Sequence, residues 1–147
     1  MVKYGTHAAY GDEQEEKLSD VRGWLINMIN IWQPDFIGFE GIQFQENLQG
    51  GQRMGVTTFE ALARLQGVIM VTCKEMGIPF TIYPTNTWRQ GCGVKGKTRS
   101  EKKRSMQLLA KEWFDVTVTE DEADAIGIGK HTAAQFGKTT KIFNWET

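Results

Sequence analysis

Cysteine is scarce in this chain. Cys73 and Cys92 are the only two, and their spacing fits neither a disulfide framework nor a cysteine-based metal site. A reducing intracellular compartment is the expectation. No apolar run approaches the length a bilayer span requires, and no signal-peptide pattern opens the sequence, so no membrane partner is expected. Net charge is lacking too: 17 Lys and Arg against 18 Asp and Glu leave −1. Nothing global therefore announces a nucleic-acid partner. What is present is an ordinary globular composition, 40% hydrophobic and 11% aromatic, in 147 residues. That length reads as one domain able to bury a core.

The balance of charge hides a strong local asymmetry. Asp12, Glu13, Glu15, Glu16 and Asp20 outweigh Lys17, leaving 12–20 at −4. Arg89, Lys95, Lys97, Arg99, Lys102, Lys103 and Arg104 outweigh Glu101, leaving 89–104 at +6. The second run offers phosphate contacts through Arg89, Lys95, Lys97, Lys102 and Lys103. A solvated helix face is the plainer explanation of any such run.

Hydrophobic periodicity sets the order of elements. Residues 2–8 read as a short strand. Leu18, Val21, Leu25, Met28 and Trp32 recur at helical spacing, giving a helix over about 13–33 that Pro34 stops. Residues 35–40 form a buried strand, and the Gly-rich, polar stretch 41–56 a loop. Thr57, with Glu60, caps a helix that ends at Gly77; Phe59, Leu62, Gln66, Ile69, Cys73 and Met76 form its stripe. A strand at 78–83 is closed by Pro84, a loop follows at 85–98, and a helix spans about 100–113 with Met106, Leu109, Ala110 and Trp113 inward. Val116 to Val118 forms a brief extended piece. Thr119 and Glu122 cap the last helix, and no element is assigned after about 136. Strands alternating with helices indicate an α/β fold, whose sites form at the carboxyl ends of strands.

Glu40 lies at such an end, after the apolar run Phe36-Ile37-Gly38-Phe39. An ionised carboxylate closing a buried strand needs a partner. Asp121 and Asp124 stand at i and i+3, on one face of the last helix. Three acids brought together repel unless a cation neutralises them, and hard oxygen ligands suit Mg²⁺ or Mn²⁺. An acidic helix N-terminus alone would account for Asp121, Glu122 and Asp124 through the dipole; Glu40 tips the balance toward a metal site. Glu122 reads as a cap and His131 as a helix-end residue. Phe44, in the polar loop beyond Glu40, can stack on an unpaired base or make a local contact. Trp88 reads as packing. Ala123, Ala125, Gly127 and Gly129 allow the last helix to approach the sheet closely.

Four segments, in order, resemble the RuvC family of Holliday-junction resolvases, in its phage-encoded branch. They are Ile37-Gly38-Phe39-Glu40, then Leu62-Ala63-Arg64-Leu65-Gln66-Gly67, then Gly91 to Lys97, then Asp121-Glu122-Ala123-Asp124-Ala125-Ile126-Gly127-Ile128. The resemblance covers roughly residues 2–133. It implies a ribonuclease-H-like fold with a central mixed sheet flanked by helices, and a homodimer that cuts four-way DNA junctions with divalent metal. The helix over 57–76 would supply part of the dimer contact, through Phe59 and Leu62. It implies a site of four acids, of which Glu40, Asp121 and Asp124 match the second, third and fourth. The first has no match, because the opening Met1-Val2-Lys3-Tyr4-Gly5-Thr6 resembles the family's later hairpin strand. Asp12, in a solvated helix start, is no substitute. The expectation is a single RuvC-like nuclease domain over 1–147 lacking its first strands, of phage or prophage origin, working in the bacterial cytoplasm. Its rivals are a catalytically impaired DNA-binding remnant of that fold and a related flap or single-strand nuclease.

Overall fold

The computed structural model describes residues 2–42 and 55–139. Its elements run α1 (Gln14–Trp32), β1 (Ile37–Glu40), α2 (Val56–Glu75), β2 (Phe80–Tyr83), α3 (Thr85–Cys92), α4 (Arg99–Phe114) and α5 (Glu120–Thr139). The alternation expected of an α/β chain is present. Among the described residues the sheet has two strands, β1 beside β2, rather than a larger mixed sheet. The strand expected at 2–8 is not formed: residues 3–10 are exposed, so no buried face fixes them as a strand. Residues 116–118 likewise take no strand pairing.

The described residues group into two compact units. One holds the ends of both strands, from Gly38 and from Thr81, together with α3, α4 and α5. Its core is Tyr83, Trp88, Met106, Ala110, Val118, Ala123 and Ile126, with Leu109, Trp113 and Ile128 packed around them. Two glycines set how closely the parts approach. A Cβ at Gly127 would stand 2.7 Å from Met106 Sδ and 2.9 Å from Trp88 Cζ3. One at Gly38 would clash with the Thr132 hydroxyl and lie 2.9 Å from the Tyr83 ring. Ala123 is fully buried on the same helix. Ala125 is exposed and Gly129 has open space, so only part of the small-residue set serves this approach.

The sequence read 85–98 as loop, yet α3 occupies its first half. Pro84 is the N-cap and Gly93, at φ 76°, ends the helix in the left-handed region. Gly91 lies within the helix, and a Cβ there would stand 2.3 Å from His131 Nδ1, so only glycine fits. Beyond it, the Glu101 carboxylate accepts from the backbone N–H of Lys97 (2.6 Å) and Thr98 (3.1 Å), while Thr98 accepts from Glu101 N–H. This capping box starts α4 and holds the lysine-bearing segment in place. The Thr119–Glu122 box forms at the start of α5 as expected.

The second unit carries α1 and α2. Glu16 accepts from the N–H groups of Asp12 and Glu13, so part of the early acidic run is a helix start. Gln33, at φ 45°, ends α1 just before Pro34. Helix α2 begins at Val56 with Gly55 as N-cap, two residues earlier than the Thr57 cap expected, and Thr57 lies inside it. Arg22 pairs with Glu75 at 2.5 Å, and Arg64 bonds Gln14. Gln66 accepts from Ile42 N–H at 3.1 Å, which explains a glutamine within an otherwise apolar stripe.

Candidate functional site

Glu40 ends β1 with its side chain exposed, and the Trp88 indole N–H donates to its Oε2 at 2.9 Å. Trp88 itself is fully buried. Its N–H would be an orphan donor in the core without that carboxylate.

On α5 the two aspartates do share a face, and Lys103 shows it. Lys103 Nζ lies 2.5 Å from Asp124 Oδ2 and 3.9 Å from Asp121 Oδ1. Arg89 Nη2 stands 4.0 Å from the same Asp124 oxygen. The Asp124 side chain is 16% exposed and that of Asp121 89% exposed, so one acid is embedded and the other faces water. Two buried atoms, Asp124 Oδ1 and Arg89 Nε, have no hydrogen-bond partner among the described residues. A buried carboxylate oxygen with nothing to accept from is a position where a cation or a water-borne proton would be held. Among the described residues, however, no three His, Cys, Asp or Glu side chains converge at metal-ligand spacing. Lys103 and Arg89 supply the positive charge beside Asp124 instead.

Helix α3 links the parts. Trp88 reaches Glu40 and the next residue, Arg89, reaches Asp124, with the Arg89 guanidinium also 5.4 Å from the Trp88 ring centre. One turn after Trp88 on the same face of α3, the Cys92 thiol donates to the Gly127 carbonyl at 3.2 Å, and burial pushes that thiol up to about 11.

The basic run therefore divides. Lys95 and Lys97 are exposed and Lys102 is half-buried, whereas Lys103 is buried, 8% exposed, and committed to Asp124. The sequence offered Lys103 as a surface phosphate contact. A usable signal was available: Lys103, Met106 and Ala110 lie on one helical stripe, and all three are buried. His131 is not at a helix end but within α5, buried and edge-on to Tyr83 with ring centres 4.9 Å apart. Trp88 packs as expected, and its bond to Glu40 is the role that composition did not reveal. Glu122 is a cap. Asp12 stands at the start of α1, its N–H bonded to Glu16. Phe44 lies outside the described residues.

Comparison with known proteins gives a consistent direction. No family model matches the chain. A crossover junction endodeoxyribonuclease RuvC from Thermomicrobium roseum is 25% identical over 114 residues, which is 78% of this chain and 65% of that protein. The chain thus aligns to somewhat under two thirds of that relative's length. A structure of Thermus thermophilus RuvC in complex with Holliday junction substrate superimposes with TM-score 0.65 at 14% identity, over 87% of this chain and 72% of that one. A second Thermus thermophilus RuvC structure gives TM-score 0.62 at 16% identity over the same shares. These likenesses establish an α/β fold of the RuvC kind.

Proposed function

We propose that this chain is a ribonuclease-H-like, phage-type nuclease that resolves four-way DNA junctions by divalent-metal-dependent phosphodiester hydrolysis. The observation that carries the reading is that consecutive residues of α3 reach two of the candidate acids, Trp88 bonding Glu40 and Arg89 standing 4.0 Å from Asp124 Oδ2, while the buried Asp124 Oδ1 has no hydrogen-bond partner among the described residues. Glu40, Asp121 and Asp124 would hold Mg²⁺ or Mn²⁺; their all-carboxylate donor set suits a hard dication. When bound, the metal supplies an activated water and stabilises the leaving oxygen. Glu40 is oriented by Trp88, and Lys103 with Arg89 offsets the charge of Asp124 in the partly dry interior. Lys95, Lys97 and Lys102, aided by Arg89, supply phosphate attraction, with Phe44 offered to an unpaired base. Two symmetric cuts require two sites, so a homodimer in a bacterial cytoplasm belongs to the same reading.

A second reading is favoured by one observation: no three metal-type ligands converge among the described residues, and Lys103 already neutralises Asp124. On it, the chain binds junctions without cutting them efficiently. Three of the four acids that the resemblance implies stand at matching positions, and a carboxylate already paired with an ammonium holds a cation less readily. The expected result with the 147-residue chain is junction binding with weak Mg²⁺- or Mn²⁺-dependent cleavage that Glu40→Gln abolishes. Labelled four-way junction, flap and linear duplex, incubated side by side, make the test. Preference for the flap would replace the junction reading by the flap-nuclease one. Equal affinity for all three, with cleavage indifferent to Glu40→Gln, would overturn both.

A further inference from the structure

Trp88 is fully buried, and its one polar atom is spent on Glu40. A core tryptophan can satisfy its N–H on any backbone carbonyl within reach; here it meets a side-chain carboxylate at the end of a strand. The next residue of the same helix, Arg89, meets the other embedded acid, Asp124. Trp88 is itself locked: its ring lies where a Cβ on Gly127 would strike it, so α5 clamps the indole from the side that carries Asp124. The carboxylate of Glu40 is thereby tied, through one rigid ring, to the helix bearing its proposed partner.

We propose that Trp88 is a positioning residue for Glu40, its indole N–H fixing the carboxylate orientation in which Glu40 would bind a divalent cation. The inference rests on the metal-site reading above and deepens it. Partners in the outer shell of a metal ligand typically change affinity about tenfold or more when removed. A purely structural tryptophan would act on stability and not through Glu40.

The test is a double-mutant cycle on the full chain, read by Mn²⁺ binding in electron paramagnetic resonance titrations without DNA. Replacing Trp88 by 3-benzothienylalanine keeps the ring shape and removes the N–H; Trp88→Phe is the second variant. Each is made with Glu40 present and in a Glu40→Ala background. The expected result is about tenfold weaker Mn²⁺ binding with the sulfur analogue, at little change in melting temperature, and no further weakening once Glu40 is gone. Unchanged Mn²⁺ affinity in the analogue, where Glu40→Ala alone weakens binding, would overturn the positioning role and leave the site intact. Equal losses in both backgrounds would overturn it too, since Trp88 would then act through packing. If Glu40→Ala leaves Mn²⁺ binding unchanged, the metal-site reading itself fails.

Discussion

Lys95, Lys97 and Lys103 carry the same charge within one short run, yet they sit in different physical situations. Lys103 is buried against Asp124 at 2.5 Å, while Lys95 and Lys97 project from a segment whose backbone is held by Glu101 and Ser105. Removing one member of a buried pair strands the other charge in a poor solvent, at a cost of roughly 3 kcal/mol. Lys103→Gln is therefore expected to lower the melting temperature markedly in the absence of DNA. Lys95→Gln and Lys97→Gln should leave it unchanged, and each should reduce the slope of log affinity against log salt by about one unit on a four-way junction. Thermal melts and salt titrations of the three variants check this division. A Lys103 variant as stable as the parent would mean that the pair with Asp124 contributes nothing. Charge counts alone showed the run; only burial separates the structural lysine from the ones free to meet phosphate.

Helix α5 shows what an element adds to its residues. Gly127 and Gly129 look alike in the sequence, and both lower helix propensity by about 1 kcal/mol relative to Ala. Only Gly127 faces Met106 and Trp88 at contact distance. Gly129→Ala is expected to stabilise by about 0.5–1 kcal/mol, whereas Gly127→Ala should destabilise by about 1–3 kcal/mol through overpacking against a ring that cannot yield. Denaturant titrations of the pair give the comparison, and stabilisation by both would refute the close approach. The α3–α5 contact also has a pH signature. Burial raises the Cys92 thiol from 9.0 to about 11, so its stabilising effect is complete below about 9 and fades as pH rises toward 11. Melting temperature should fall across that window, and Cys92→Ala should flatten the fall. At this scale the cap at Thr119 and the apolar stripe of α4 were legible, because they depend on neighbours in the chain. Helix α3 was not: the glycines and lysines of 85–98 read as loop, and Gly91 is there because His131 leaves no room for a side chain, a long-range constraint that the local pattern does not show.

At the scale of the molecule, the placement of acids at a strand end and on one helix face was legible, while the contacts those acids make were not. The bonds from Trp88 to Glu40 and from Lys103 to Asp124 join residues 48 and 21 positions apart, which no local pattern encodes. The symmetric cutting proposed above would place a further demand on the molecule: a second copy related by a two-fold axis, with an apolar patch that meets itself. The unit of α1 and α2 offers one. An open groove of about 420 Å³ is lined by Leu18, Arg22, Arg64, Gly67, Val68 and Val71, with Val71 54% exposed and Val56 exposed on the same helix as the half-buried Phe59 and Leu62. Arg22 and Arg64 are held by Glu75 and Gln14, which leaves the aliphatic lining as the surface a second copy would meet. If the two-fold axis crosses this groove, an acid placed there would face its own copy, so one substitution would introduce both a buried charge and a like-charge pair. Sedimentation at micromolar concentration is expected to show a dimer for the parent and a monomer for Val71→Glu. The variant should keep its melting cooperativity, because Val71 is largely outside the core of its own unit. It should also lose paired cuts on a four-way junction while retaining weak binding through Lys95 and Lys97. A parent that sediments only as a monomer, or a Val71→Glu variant that remains dimeric, would remove this face from the assembly and require the two-fold contact to lie elsewhere.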